Sequence, residues 1–530
     1  MLTGLLFFLL LITPLVFLHE LGHYLAARAC GVRVEAFSVG FGKVLWQRTW
    51  RGTEWRLSAL PLGGYVKIAG EQMEEGEEPE PDSLFAKSPL QRAFIAFAGP
   101  AVNLILPVLV LTVFLMGRGH TYTLPVVGSI NVGSAASKAG LKEGDQILEI
   151  NGEPIKSWQD LSGHIAPAAG RSLNLVVRRG SRLKRIVAQP DSRLVPDPLG
   201  GQTRRGMLGI SANPRGPVVL VTSDCGLEDY DEVLELDGRE IGSFTELWRG
   251  LRGNRHLLKV RRYPPRKAGE PLDKAGAKTL EVTWVRPTDG TLGFLYPELT
   301  VEGVKEGSSA AEQGLQAGDR IESAGGLAIR TWSELNQVLE NADDLTADVR
   351  VRRGKEARTV SLSLKKRMVS AELRTEREVL EHGIVTSSFI RSPQLKTETL
   401  GIFSATAMAS VQCVNFIGTM IEGLRRMVTG TVPLSQIGGP LMLYDIGKEA
   451  SRSWDQFWWW FLLLSLNLGL MNLLPIPVLD GGLIMISLVE MVRRRPLSLE
   501  ARVKANQVGL VLVLGLMGLA LINDVFRFLR

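Results

Sequence analysis

The sequence predicts a polytopic α-helical membrane protein, with about four spans bracketing an inserted series of small α+β domains. Long apolar runs cluster towards both ends of the chain, charge is concentrated between them, and one pattern recurs three times in that charged middle. Over 530 residues, 45% are hydrophobic and yet 22% are charged. That mixture is expected when a few very apolar segments flank a soluble region.

The first span covers residues 1–27, apolar from residue 1 to residue 18. No basic stretch precedes it, and it is long enough to cross about 30 Å of hydrocarbon, so it reads as a retained span rather than a cleaved signal peptide. Further spans are expected at 93–118, 456–492 and 505–528. The short loop between the last two carries Arg493, Arg494, Arg495, Arg502 and Lys504, and Arg28 and Arg33 follow the first span. The positive-inside rule puts these loops in the cytoplasm and the large insert outside it. The acidic tract at 71–82 reads as a solvated loop. Residues 396–430 are amphipathic, a pattern that suits either a helix lying on the membrane surface or a packed one.

The recurring pattern begins with Gly140-Leu-Lys-Glu-Gly-Asp-Gln-Ile147 and returns as Gly314-Leu-Gln-Ala-Gly-Asp-Arg-Ile321. Trp158 and Trp332 follow Asp145 and Asp319 at the same distance. A middle copy, Gly226-Leu-Glu-Asp-Tyr-Asp-Glu-Val233, has Tyr230 where the others have Gly144 and Gly318. Each copy leads into a helical stretch and then a basic strand, at 173–179, 257–262 and 347–353. These units resemble PDZ domains, at 120–190, 206–286 (degenerate) and 292–366. The resemblance implies either capture of extended peptides at a sheet edge or a spacer role.

Chemistry is concentrated in His19-Glu20-Leu21-Gly22-His23, an H-E-x-x-H pattern. Residues four apart share one helical face, so both imidazoles can reach one Zn²⁺ ion while Glu20 stands beside it as a proton acceptor. Two histidines and a carboxylate inside a lipid span are costly without such a role. A catalytic zinc usually takes three protein ligands. His120, His164, His256 and His382 all belong to the insert, whereas Asp480 ends the segment Asn472-Leu-Leu-Pro-Ile-Pro-Val-Leu479 at membrane depth, which makes it the better third ligand. Cys30, Cys225 and Cys413 form no metal-type spacing. The net charge of +6 comes with no clustered basic run, which argues against nucleic-acid binding. No G-x-S-x-G elbow occurs, which argues against a serine hydrolase.

H-E-x-x-H in a first span, with Asn-x-x-Pro-x-Pro-x-Leu-Asp-Gly in a late one, resembles the site-2 protease family of intramembrane zinc metalloproteases. The order of parts is similar to its bacterial regulator-of-sigma-E protease branch, and the resemblance covers essentially the whole chain. It implies that His19, His23 and Asp480 bind zinc, that Glu20 is the general base and acid, and that Asn467 and Asn472 hold the unwound substrate backbone. The loop at 28–92 would contain the family's membrane-reentrant β-hairpin. The implied partners are the lipid bilayer and single-span membrane proteins, including anti-sigma-factor-like substrates and remnant signal peptides. The implied setting is regulated proteolysis at the bacterial inner membrane, with the repeats periplasmic and the active site near the cytoplasmic face. Three repeat copies depart from the one or two usual in that branch. The alternative is a non-catalytic PDZ membrane adaptor with a vestigial metal site.

Overall fold

The computed structural model describes residues 2–70, 80–131, 133–196, 202–264, 276–297, 299–329, 332–354, 356–370, 376–385 and 392–529. The acidic tract therefore lies outside the described residues except at its end, where Glu80 and Asp82 both pair with Arg33.

The membrane part is built on helices α1 (Leu2–Ala29) and α2 (Pro89–Arg118). They pack antiparallel: Gly22 of α1 faces Ala98 and Val102, and Leu11 and Leu15 cluster with Leu106. Near the C-terminus come α3 (Ile402–Val428), α4 (Pro440–Ala450), α5 (Trp454–Asn472), α6 (Asp480–Arg493) and α7 (Leu499–Leu529). Among the described residues, four helices are long and apolar enough to cross a membrane: α1, α2, α3 and α7.

This corrects the expected third span at 456–492, which is two helices rather than one. Residues 473–479 break the ladder between α5 and α6, because Pro475 and Pro477 have no backbone N–H to donate. The amphipathic segment expected at 396–430 holds α3, whose Ala405 and Ala409 are buried with Leu115 of α2. The following α4 packs against the start of α1, with Tyr444 against Gly4 and Gly447 against Phe8.

Strands β1 (Val34–Trp50) and β2 (Thr53–Ile68) follow α1. The start of β1 is paired on both sides: Phe37 lies opposite both Trp55 and Val66, and Val39 opposite both Leu57 and Gly64. The end of β2, residues 64–68, is thus an edge running past Val16 and Glu20 of α1. The far end carries exposed Leu45, Trp46 and Trp50.

Each repeat folds around an antiparallel four-stranded sheet in the same order. The central strands are Gln146–Ile150 with Leu173–Arg179, Glu232–Leu236 with Arg255–Arg262, and Arg320–Ala324 with Thr346–Arg353. The recurring Gly-Asp and the basic strand have one physical cause. Asp145, Asp231 and Asp319 are fully buried. They accept backbone N–H groups from Lys142, Glu228 and Gln316 at 2.8, 2.9 and 2.9 Å. Each is neutralised by the arginine ending the basic strand: Arg179, Arg262 and Arg353, at 2.6, 2.7 and 2.7 Å. Tyr230 adopts φ +69° where Gly144 and Gly318 have +87° and +91°, so the middle copy carries a bulky side chain in the left-handed region.

The repeats also run further than 120–190, 206–286 and 292–366. Each is closed by a two-residue strand, Ile210–Ser211, Phe294–Leu295 or Ile384–Val385, which pairs with a strand near the start of its own unit. Strands of two residues have too little alternation to be read from sequence. The common cue was a glycine just before each, Gly209, Gly293 and Gly383, all with positive φ.

At the base of the bundle, Glu490 of α6 joins three helices. Its carboxylate accepts Arg92 of α2 at 2.5 Å, Arg502 of α7 at 2.6 Å and the Leu497 N–H at 2.8 Å. Glu490 and Arg92 are almost wholly buried. Removing one partner of such a group leaves a buried charge uncompensated, at a cost of roughly 3–5 kcal/mol. Glu490→Ala is accordingly expected to lower the melting temperature sharply in a detergent thermal scan, whereas exposed Glu500→Ala should leave it nearly unchanged.

Candidate active site

Helix α1 places His19 and His23 on one face, with ring centroids 4.8 Å apart and edge to face. Their Nε2 atoms approach to 3.2 Å. Asp480 arrives from the other end of the chain as the first residue of α6, its Oδ2 3.2 Å from His19 Nε2 and its Oδ1 3.4 Å from His23 Nε2. The break in the helix delivers it. Val478 is held at φ +90°, a strained setting for a β-branched residue of the kind found at functional sites. Backbone oxygens of Leu473, Leu474 and Ile476 lie where any Cβ on Gly481 or Gly482 would be.

Each ring is also held from behind. His23 Nδ1 lies 2.8 Å from Ile95 O, and a carbonyl can only accept, so Nδ1 carries a proton, which in the neutral ring leaves Nε2 a lone pair. His19 Nδ1 lies 3.2 Å from the side-chain amide of Asn103. Gly99, one turn on from Ile95, leaves room for the His23 ring: a Cβ there would sit 2.1 Å from Nε2.

A tetrahedral zinc with bonds of about 2.0–2.1 Å separates its ligand atoms by about 3.3 Å. The three closest approaches here are 3.2, 3.2 and 3.4 Å, and the group's ligand atoms all lie within 4.8 Å of one another. Two imidazole nitrogens and a carboxylate also form a donor set suited to zinc. The residues fit the ion.

The triad opens onto a cavity of about 240 Å³ lined by Glu20, Val66, Ile95, Asn472, Val478, Leu479 and Leu483, among others. Glu20 faces it beside the edge of β2. Asn472 lines it too, its Nδ2 3.1 Å from His19 Nε2; Asn467 is not among the lining residues. The structure thus gathers five of the six residues singled out in the sequence: His19, Glu20, His23, Asn472 and Asp480. Ile95, Gly99 and Asn103 were missed as site residues. Only Gly99-Pro100 and Asn103, polar or helix-weakening residues inside a span, could have signalled them. His164 and His256 have partners inside the repeats, Glu153 at 2.8 Å and Asp237 at 2.6 Å.

A metal-type triad with an adjacent carboxylate, set among helices of membrane length, is the pattern of a membrane-embedded metallohydrolase. The sequence profile of peptidase family M50 matches residues 7–516, and the chain belongs to that family. It is similar to a candidate zinc metalloprotease of Neisseria meningitidis, 28% identical with 99% of both chains covered. Protease RseP of Yersinia pestis is 29% identical, with 98% of both covered. Regulator of sigma-E protease RseP of Salmonella typhimurium is 27% identical, again with 98% of both covered. Among solved structures, a PDZ domain protein from Parabacteroides distasonis aligns with 49% of this chain and 95% of its own, at 12% identity and a TM-score of 0.14. That likeness is too slight to bear on the fold.

Proposed function

We propose that this chain is an intramembrane zinc metalloendopeptidase that cuts single-span membrane proteins within or next to their spans. The observation that carries the reading is the convergence of His19, His23 and Asp480 beside Glu20, all on elements of the apolar bundle. His19 and His23 would hold the ion through Nε2, and Asp480 through its carboxylate. Zinc, when bound, supplies a water molecule acidic enough to lose its proton near neutral pH and polarises a carbonyl. Glu20 takes that proton and returns it to the departing amine. A substrate helix hides its amides in its own hydrogen bonds, so it must unwind before it can react. The free edge at residues 64–68 offers backbone groups to the unwound stretch, and Asn472 faces the same cavity.

The bilayer is the bacterial inner membrane, with the repeats on the periplasmic side and the zinc site nearer the cytoplasm. The β1–β2 sheet dips into the lipid through Leu45, Trp46 and Trp50. In this topology α5 and α6 together make the third crossing, while α3 lies along the bundle. Two contacts favour that arrangement. Helix α3 starts beside Leu115 at the end of α2, and α4 packs on Gly4 at the start of α1; in an antiparallel pair these are the same end. Regulators of sigma-E among the relatives point to anti-sigma-factor-like substrates and remnant signal peptides, in regulated intramembrane proteolysis. The three repeats would screen what reaches the site.

Metal removal tests the reading. Purified protein treated with a zinc chelator should stop cutting a tagged single-span substrate in detergent, and added Zn²⁺ should restore the same product masses. Undiminished cleavage by protein shown to be metal-free would refute it.

A further inference from the structure

Both histidines must keep Nε2 free of a proton to serve as ligands, a requirement that rests on the zinc reading above. Each ring proton then belongs on Nδ1. His23 meets this through Ile95 O. Behind His19, Nδ1 lies 3.2 Å from Nδ2 of the Asn103 carboxamide, a residue with 0% exposure. With the amide nitrogen facing the ring in this way, Nδ1 has to accept. The proton would then move to Nε2 and spoil the ligand. In that orientation Asn103 Oδ1 is also buried without a hydrogen-bond partner. The two ends of a carboxamide are nearly the same size, and a half-turn brings Oδ1 onto Nδ1.

We propose that Asn103 is a positioning residue, whose Oδ1 accepts the Nδ1–H of His19 and so points Nε2 at the metal. One helix then sets both tautomers. Ile95 and Asn103 lie two turns apart on the same face of α2, opposite His23 and His19 one turn apart on the antiparallel α1. The Asn103 backbone is itself anchored, since its carbonyl accepts the Ser465 hydroxyl of α5 at 2.8 Å. Groups of this kind behind a ligating histidine typically govern metal affinity by 10–100-fold.

The test compares the full-length wild type with Asn103→Asp and Asn103→Leu in detergent. Zinc affinity is read by competition with a chromophoric chelator, ligand geometry by the visible spectrum of the Co²⁺-loaded protein, and folding by gel filtration and melting. Asn103→Leu is expected to weaken zinc about 10–100-fold and to change the Co²⁺ spectrum while remaining folded. Asn103→Asp, which can only accept, should stay close to wild type on both readouts. The proposal is overturned if Asn103→Leu binds zinc as tightly as wild type. It is equally overturned if Asn103→Asp loses as much as Asn103→Leu, because the amide would then be donating. A wild type that binds no zinc would instead bring down the metal reading itself, and this role with it.

Discussion

Glu20→Gln is expected to abolish substrate cleavage while leaving zinc bound. Glutamine keeps the length and shape of the side chain, so the wall of the cavity is preserved. It cannot accept a proton and pass it on. Positioned general bases contribute about 10²–10⁴-fold, and Glu20 serves both the attack and the departure of the amine, so the loss should reach at least the upper part of that range. The three ligands are other residues, His19, His23 and Asp480, whose mutual contacts do not involve Glu20. Metal content measured on the purified variant should therefore match wild type, while product from a single-span substrate falls to background. Equal cleavage by the two proteins would exclude Glu20 as the base and with it the mechanism proposed above. Loss of zinc together with activity would make Glu20 part of the scaffold instead.

What the sequence revealed, and what it hid, divides by the range of the interactions. H-E-x-x-H is legible because a helix repeats every 3.6 residues, so a spacing of four by itself puts two imidazoles on one face. Asp480 was reachable by cost: a carboxylate at membrane depth needs a partner, and the partners available were already known. The three repeats announced themselves because a buried aspartate and its arginine recur at fixed places. Their closing strands did not, being two residues long and paired with segments some 80 positions earlier, as Ile210 is with Ile130. Helix α3 was ambiguous for a related reason. Its composition suffices for a span, and only its packing beside α2 and the return of α4 to the start of α1 distinguish the possibilities. The backing of the histidines was hidden most completely. Ile95 looks like an ordinary residue of an apolar helix, Gly99 and Asn103 stand out there only by being helix-weakening or polar, and the roles of all three exist only in the register of α2 against α1.

Gly99→Ala makes that register testable. By local propensity the change should be favourable, since alanine is better than glycine inside a helix by about 0.8–1.0 kcal/mol. The tertiary effect opposes it. The new methyl carbon would sit 2.1 Å from His23 Nε2, 2.6 Å from Cε1 and 2.7 Å from Cδ2, and so would meet the ring at its ligating edge. The ring cannot slide aside, because its Nδ1 is tied to Ile95 O on the same helix. It must swing away and lose both that bond and its approach to Asp480, or else α2 must retreat from α1. Retreat would give up the close packing at Gly22, where Ala98 O lies 2.5 Å from the place a Cβ would take. The expected outcome is zinc affinity lowered by 100-fold or more, at the upper end of the effects seen when a ligand's support is removed. Cleavage should fall to background while helix content by circular dichroism is unchanged. Gly117→Ala supplies the control: it lies on the same helix, a Cβ there meets nothing within 4 Å, and it should cut like wild type. If Gly99→Ala keeps both zinc and activity, then His23 does not stand where a ligand must stand, because no ring can share that space with a methyl group.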